Sequence, residues 1–407
     1  MWNKWQLFHA TDFQSLMFPC FTFFRILGIF PYKINVSIIE ASRPRYILLI
    51  VVTCVNCFYV LIQIYIVNIA RKDHRQRIPQ KIQDNSYFIL ENIISIIWLI
   101  MTKPQMRLLQ MVLDVSSKLS SKSYEKLSKL IHFKDIFGFF FLICQSLASL
   151  RRHLFMKEQN FLVPLILRIL ECYIRFQKFQ INMLYINCVC IVKACFKRID
   201  DNLINLRELL INDKSHPFGL IYCQERSTFL LNKLKILEKE YLMLSDTVQM
   251  LKLLFSPQFL AICAEVFIEI TFELYINIVQ WNNGISIDLT QQINNIFLTS
   301  YMLYHVIKLI VTVWACETGK NQAIKINTTI HDISNSTSNK QIRNELHLFS
   351  LQMLHCDNTF SGKGITVDAA FLRTMIRTIT TYLLILIQFL IATHACDGRA
   401  ASQHHKI

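Results

Sequence analysis

Glu265, Glu269 and Glu273 stand four residues apart in an otherwise apolar run, and an earlier apolar run carries Arg168, Glu171, Arg175 and Lys178. On a helix, positions i, i+4 and i+8 form one stripe, so the three glutamates face the same way. Ionised groups in hydrocarbon are costly enough that neither set can face lipid. Two chemistries suit them: buried ion pairs that hold two helices together, or the polar wall of a ligand cavity. Depth narrows the pairing. At a rise of about 1.5 Å per residue, Arg168 lies about 10 Å below the outer end of a span starting at 161, and Glu273 about 20 Å above the inner end of one starting at 258. In a hydrocarbon core about 30 Å thick these are one level. Arg168 is therefore expected to meet Glu273, and Arg175 to meet Glu265, with the intrahelical pairs Arg168–Glu171 and Glu171–Arg175 as competitors. As ligand contacts the outermost members, Arg168 and Glu273, come first, with Trp98 and Tyr301 as further candidates.

Other chemistry is not encoded in recognisable form. GxSxG, HExxH, Walker and dinucleotide-binding patterns are absent, which argues against an enzyme. The 13 cysteines are odd in number and sit mostly in or beside apolar runs, so they make no disulfide framework. Cys54 and Cys57 mimic a CxxC pair but lie at mid-membrane without further ligands, and read as small buried hydrophobes. No metal and no cofactor is expected.

The charged stripes need elements to carry them. Hydrophobic residues make up 53% of the 407 and charged ones 17%, with a mean hydropathy of +0.34, which places the chain in a bilayer. Windows long enough to cross fall near 46–69, 84–102, 133–150, 161–192, 258–281, 293–315 and 369–392, and predict an all-α membrane protein of seven spans. A Phe-rich stretch near the start, broken by Pro19 and Arg25, lacks a basic n-region and a small-residue cleavage site, and is expected to be retained against the membrane surface or the protein. With the N-terminus inside, the inner segments hold 26 Lys and Arg and the outer ones 10, which favours that orientation. The sequons at Asn35, Asn327 and Asn335 then face the cytoplasm and stay unmodified. The net charge of +15, concentrated in inner segments, suits an anionic leaflet and calls for no nucleic acid.

The inner segments have a pattern of their own. Leu230, Leu234, Leu237, Tyr241, Leu244, Val248 and Leu251 repeat at four and three residues, as do Val192, Phe196, Ile199, Leu203, Leu206 and Leu210, and again Ile342, Leu346, Phe349 and Met353. Each is a narrow helical packing seam. Together they predict a cytoplasmic anchor bundle that packs within the chain or also joins subunits. The resulting division is an inner N-terminal segment 1–45, spans one to four over 46–192, helical extensions 193–257, spans five and six over 258–315, an inner helix in 316–368, a last span 369–392 and an outer tail 393–407.

The last span is the most specific part of the sequence. Thr381-Tyr382, the apolar run Leu383 to Ile387, and Gln388-Phe389 resemble the signature that closes insect gustatory receptors, and Phe360 to Leu372, FSGKGITVDAAFL, is similar to the lead-in of that family. The resemblance implies a ligand-gated, non-selective cation channel in the plasma membrane, a tetramer whose subunits each give their last helix to a central pore. Its partners would be a small-molecule tastant, lipid, and like or unlike gustatory receptor subunits. Carried onto this chain, Phe389 is the gate, Gln388 the pore-facing polar residue and Ile385 a third pore position, while Thr381 and Tyr382 pack the helix. An interhelical hydrogen bond within one subunit is the alternative role for Gln388. Leu383 stands where the sugar-receptor branch carries an acid, which argues against that branch and leaves the tastant open, since fructose-type and bitter-type members alike carry Leu there. A G-protein-coupled receptor would need the opposite orientation, and neither NPxxY nor an acidic-Arg-Tyr triplet is present where it should be; a transporter is a further alternative.

Overall fold

The computed structural model describes residues 7–35, 38–70, 78–155, 162–212, 220–282, 289–362 and 365–404. The chain opens with α1 (Phe13–Ile26), started by a capping box in which Ser15 N donates to Asp12 Oδ1 at 2.7 Å and Asp12 N donates to Ser15 Oγ at 3.2 Å. Pro19 lies inside this helix without breaking it. Phe13, Leu16, Met17, Cys20, Phe21 and Phe24 form its buried face, and Gln180 Nε2 donates to Cys20 O at 3.1 Å, fastening α1 to the middle of the bundle. The helix ends in a Schellman motif: Ile29 N bonds Phe24 O and Gly28 N bonds Arg25 O, with Gly28 at φ +68°.

A hairpin follows, β1 (Tyr32–Ile34) antiparallel to β2 (Ile39–Ala41), and leads into α2 (Arg43–Tyr65), which runs on through a π-helical turn at Ile66–Ala70. α3 (Ile78–Ile100) bends by 69° into α4 (Thr102–Ser116). Tyr32 Oη holds that corner, donating to Thr102 O at 2.6 Å. α5 (Ser121–Phe155), α6 (Leu162–Asn212), α7 (Leu220–Asn282) and α8 (Leu289–Ser336) then run as long helices. After α9 (Lys340–His355), a second hairpin of β3 (Ser361–Gly362) and β4 (Ile365–Thr366) precedes α10 (Ala369–His404).

All seven expected windows fall on helices, α2, α3, α5, α6, α7, α8 and α10. Among the described residues, α2, α5, α6 and α10 each hold a stretch apolar and long enough to cross a membrane, and the bent α3–α4 pair adds a broken span. The apolar run of α7 carries three buried glutamates, Glu265, Glu269 and Glu273, and that of α8 one buried lysine, Lys308. The expected helical extensions are continuous with the spans: α6 and α7 pass without interruption from one into the other, over lengths of about 75 Å and 95 Å. α10 likewise continues helical past 393, where a tail was expected.

Every residue of the three predicted seams is buried. Tyr241 is where they meet: its ring lies 5.7 Å from Phe196 of α6 and 5.6 Å, edge-on, from Phe349 of α9. Its hydroxyl accepts from Asn358 Nδ2 at 2.6 Å, and Ser245 Oγ donates to Asn358 Oδ1 at 2.8 Å. A second lock sits on Asp200 of α6, fully buried, which accepts from Thr329 Oγ1 at 2.6 Å and pairs with Lys325 at 2.9 Å, both on α8.

Candidate functional site

The charged residues of the spans assemble into a polar layer between α3, α6, α7 and α8. Its centre is Lys178, whose Nζ lies 2.6 Å from Glu91 on α3 and 2.8 Å from Glu265 on α7, with the ammonium also 4.6 Å over the Tyr87 ring. Lys308 of α8 stands 4.0 Å from the other Glu265 oxygen. Two turns earlier on α3, Gln83 Nε2 donates to Glu269 at 2.9 Å and to Glu273 at 3.4 Å. Arg168 donates to Glu171 at 2.6 Å and Arg175 also bonds Glu171; Arg175 Nε reaches Tyr87 Oη at 3.2 Å.

Two expected pairings are corrected. Arg168 does not meet Glu273, and Arg175 does not meet Glu265; both arginines turn to Glu171 on their own helix, the competitor that spacing allowed. The depth count itself was close. Lys178 opposite Glu265 fixes the antiparallel register of α6 and α7, and counting back from it puts Arg168 level with Tyr275, about 3 Å from Glu273. Each residue of register turns a helix by about 100°, however, so a slip of two redirects a side chain completely. Glu91, Lys308, His305 and Gln83 were missed, although Glu91 lies in the window 84–102 and His305 and Lys308 in 293–315, where a scan for charge in apolar runs reaches them.

Inside this layer lies a cavity of about 20 Å³, bordered by Tyr87, Gln145, Arg175, Glu265, His305 and Lys308, which is room for about one water molecule. Gln145 Nε2 is buried there without a partner among the described residues. The four proposed ligand contacts are not gathered in one place. Trp98, 3% exposed, donates from its indole to Ile29 O at 3.1 Å and stacks on Phe24 at 5.5 Å. It is thus part of the α1 packing, seven residues beyond Glu91 on α3, whereas Arg168 lies ten residues from Lys178 on the other side. The two are about 25 Å apart along the bundle. Tyr301 lies on α8, and its side chain falls outside the described residues. The cysteine reading is also corrected: Cys54 is exposed, and Cys57 is half-buried with its thiol donating to Asn92 Oδ1 at 3.2 Å. No group of metal-ligating side chains occurs among the described residues.

α10 is positioned differently from every span described above. Asp368 caps it, accepting from Phe371 N at 3.0 Å, and the lead-in is held by Phe360, buried against Gly319 of α8, where a Cβ would come within 2.8 Å of the ring. From there the helix leans on α7 through Phe371 against Phe259 at 5.7 Å and Tyr382 against Phe267 at 5.6 Å. Only 6% of its apolar stretch is buried. Thr381, Ile385, Gln388 and Phe389 fall on one face by their spacing, and all four are exposed, Phe389 by 67%.

Comparison with known proteins places this arrangement. A family model described as 7tm chemosensory receptor matches residues 17–393. A Drosophila melanogaster protein assigned as gustatory receptor 28b is 31% identical over 98 residues, 23% of this chain and 21% of the length of that relative. Among solved structures, the insect olfactory receptor OR5 from Machilis hrabei superposes with a TM-score of 0.65 at 12% identity, covering 92% of this chain and 98% of that one. The same receptor in complex with eugenol gives 0.66 over the same shares. At that identity the likeness is one of fold. The family match runs from within α1 through the apolar stretch of α10, so it takes in every span, and the chain belongs to the 7tm chemosensory receptor family.

Proposed function

We propose that the protein is a tastant-gated, non-selective cation channel of the plasma membrane, built as a homo- or hetero-tetramer around α10 with the N-terminus in the cytoplasm. One observation carries the reading: α10 is apolar enough to cross a bilayer, yet it leaves nearly all of its apolar stretch, Ala369–Phe389, unburied by its own chain and sets Gln388 beside Phe389 on the uncovered face. A polar amide facing lipid is unfavourable. The same face turned toward its copies gives a polar ring next to an aromatic constriction, and a narrow apolar neck closes to ions by shedding water. Ile385, one turn earlier, extends the constriction.

The tastant enters the outer half of the bundle, where Arg168 and Glu273 remain candidates for contacting it; Trp98, tied to α1, does not. The cavity among the buried charges is too small for a tastant in this state, so binding there requires α5, α6 and α8 to separate. Patch recording from cells that make this chain tests the pore. Phe389→Ala widens the neck and should give current without ligand, while Gln388→Ala should alter conductance or ion preference but keep the channel closed at rest. A Phe389→Ala channel that reaches the surface, stays silent until ligand is added and conducts like wild type removes the gate from this residue.

A further inference from the structure

At the start of α2 a group of cations stands without carboxylate partners among the described residues. Arg43 and Arg45 occupy the first turn, and Arg25 comes from the last turn of α1. Arg45 Nη1 donates to Tyr32 O. The Arg25 guanidinium lies 5.7 Å over the Phe30 ring, which meets the Tyr32 ring edge-on at 5.2 Å. Burial, and then the charge of Arg45, draw the Arg25 guanidinium below its ordinary range, so the two cations are near enough to oppose each other. Lys33 on β1 adds a fourth positive charge; Glu40, its cross-strand neighbour, is exposed. None of the four cations forms an ion pair among the described residues.

The helix terminus between them is open. Ser42 is the N-cap in extended backbone but makes no capping bond. It is 4% exposed, and its hydroxyl has no partner among the described residues. Pro44 has no N–H, and Tyr46 N is already bonded to Ser42 O, which leaves the N–H groups of Arg43 and Arg45 as the first-turn donors without an intrahelical acceptor. Free N–H groups at a helix start bind phosphate oxygens, and guanidinium forks match them in two-point geometry. The level is that of a lipid headgroup, because the apolar stretch of α2 begins at Arg43. One turn further on, Ile47, Leu48, Ile50 and Val51 are exposed and apolar.

We propose that the α2 N-terminus is a binding site for the phosphate of an anionic membrane lipid. The Ser42 hydroxyl and first-turn N–H groups donate to the phosphate oxygens, Arg25, Arg43 and Arg45 neutralise them, and an acyl chain lies along Ile47 and Val51. Free phosphate shares the oxygen chemistry and lacks the acyl contact.

The full chain, reconstituted in phosphatidylcholine nanodiscs containing a minor fraction of phosphatidic acid and then released for native mass spectrometry, should retain phosphatidic acid. The Arg25→Gln, Arg45→Gln double variant should retain about tenfold less, since charge-assisted bonds are lost. Ser42→Ala removes a hydroxyl with no partner among the described residues; it should leave thermal stability unchanged and lower retention about threefold. The Lys122→Gln, Lys126→Gln pair, an equal loss of charge on an exposed part of α5, should retain lipid like wild type. Equal retention by the arginine double variant and wild type overturns the site. A matching loss in the lysine pair replaces it with general attraction to charge, wild-type retention by Ser42→Ala removes the helix terminus from it, and displacement of the lipid by inorganic phosphate alone reassigns it to the free ion.

Discussion

Lys178 binds two carboxylates from two other helices, and that makes it the side chain whose loss the polar layer tolerates least. Lys178→Met leaves Glu91 and Glu265 facing one another in a buried space, and removal of one member of a buried pair costs about 3–5 kcal/mol. Arg168→Met should cost clearly less, because Glu171 keeps Arg175 and no carboxylate is left unpaired. Thermal stability of the detergent-solubilised protein separates the two variants: Lys178→Met should melt far lower, and equal melting would mean that the layer does not hold the bundle. At this scale the sequence was half legible. That Glu265 and Lys178 are buried could be read from charge within an apolar run, but which partner each finds depends on helix rotation, and no spacing within one helix reports the rotation of another.

Elements were more legible than residue pairs, because periodicity is a property of each helix alone. All three seams are buried along their full length, from Val192 to Leu210, Leu230 to Leu251 and Ile342 to Met353. The hairpins could not be read: strands of two and three residues are too short for an alternating pattern. The corner between α3 and α4 carries one mark in the sequence, Pro104 in the first turn of α4, but Met101 itself is no breaker and the size of the bend is held from outside by Tyr32. The hairpin before α10 yields its own prediction. Phe360 lies against Gly319, so Gly319→Ala places a methyl where the ring now sits and should destabilise the protein by about 1–3 kcal/mol, while Gly319→Ala combined with Phe360→Leu should recover part of that loss. A single variant as stable as wild type would show that the ring is free to move aside.

For the whole molecule, number and order of spans were legible from hydropathy and the ending from its motif, whereas the continuity of α6 and α7 from span into extension was not, because a change of composition resembles a boundary even where the backbone crosses it unbroken. The 26 to 10 distribution of Lys and Arg is the ground on which a cytoplasmic N-terminus is proposed. A tag before Met1 should be labelled only in permeabilised cells and a tag after Ile407 on intact ones. Labelling of the first tag on intact cells reverses the topology and, with it, the channel reading.

Pro257 gives the longest helix a fulcrum. It lies inside α7, where it cannot donate to the turn before it, and divides the helix into arms of 37 residues (220–256) and 26 residues (257–282). The arms are about 55 Å and 39 Å long. If α7 tilts as one rod about that point, a displacement at the tip beyond Glu273 returns at the other tip enlarged by about 1.4 and reversed in direction, while α10, which leans on α7 two and ten residues from Pro257 at Phe259 and Phe267, moves less than either tip. On the channel reading proposed above, such a lever would carry motion from the ligand end to the helical bundle of α6, α7 and α9 more readily than to the pore directly, and that bundle is where subunits would first register one another's ligands.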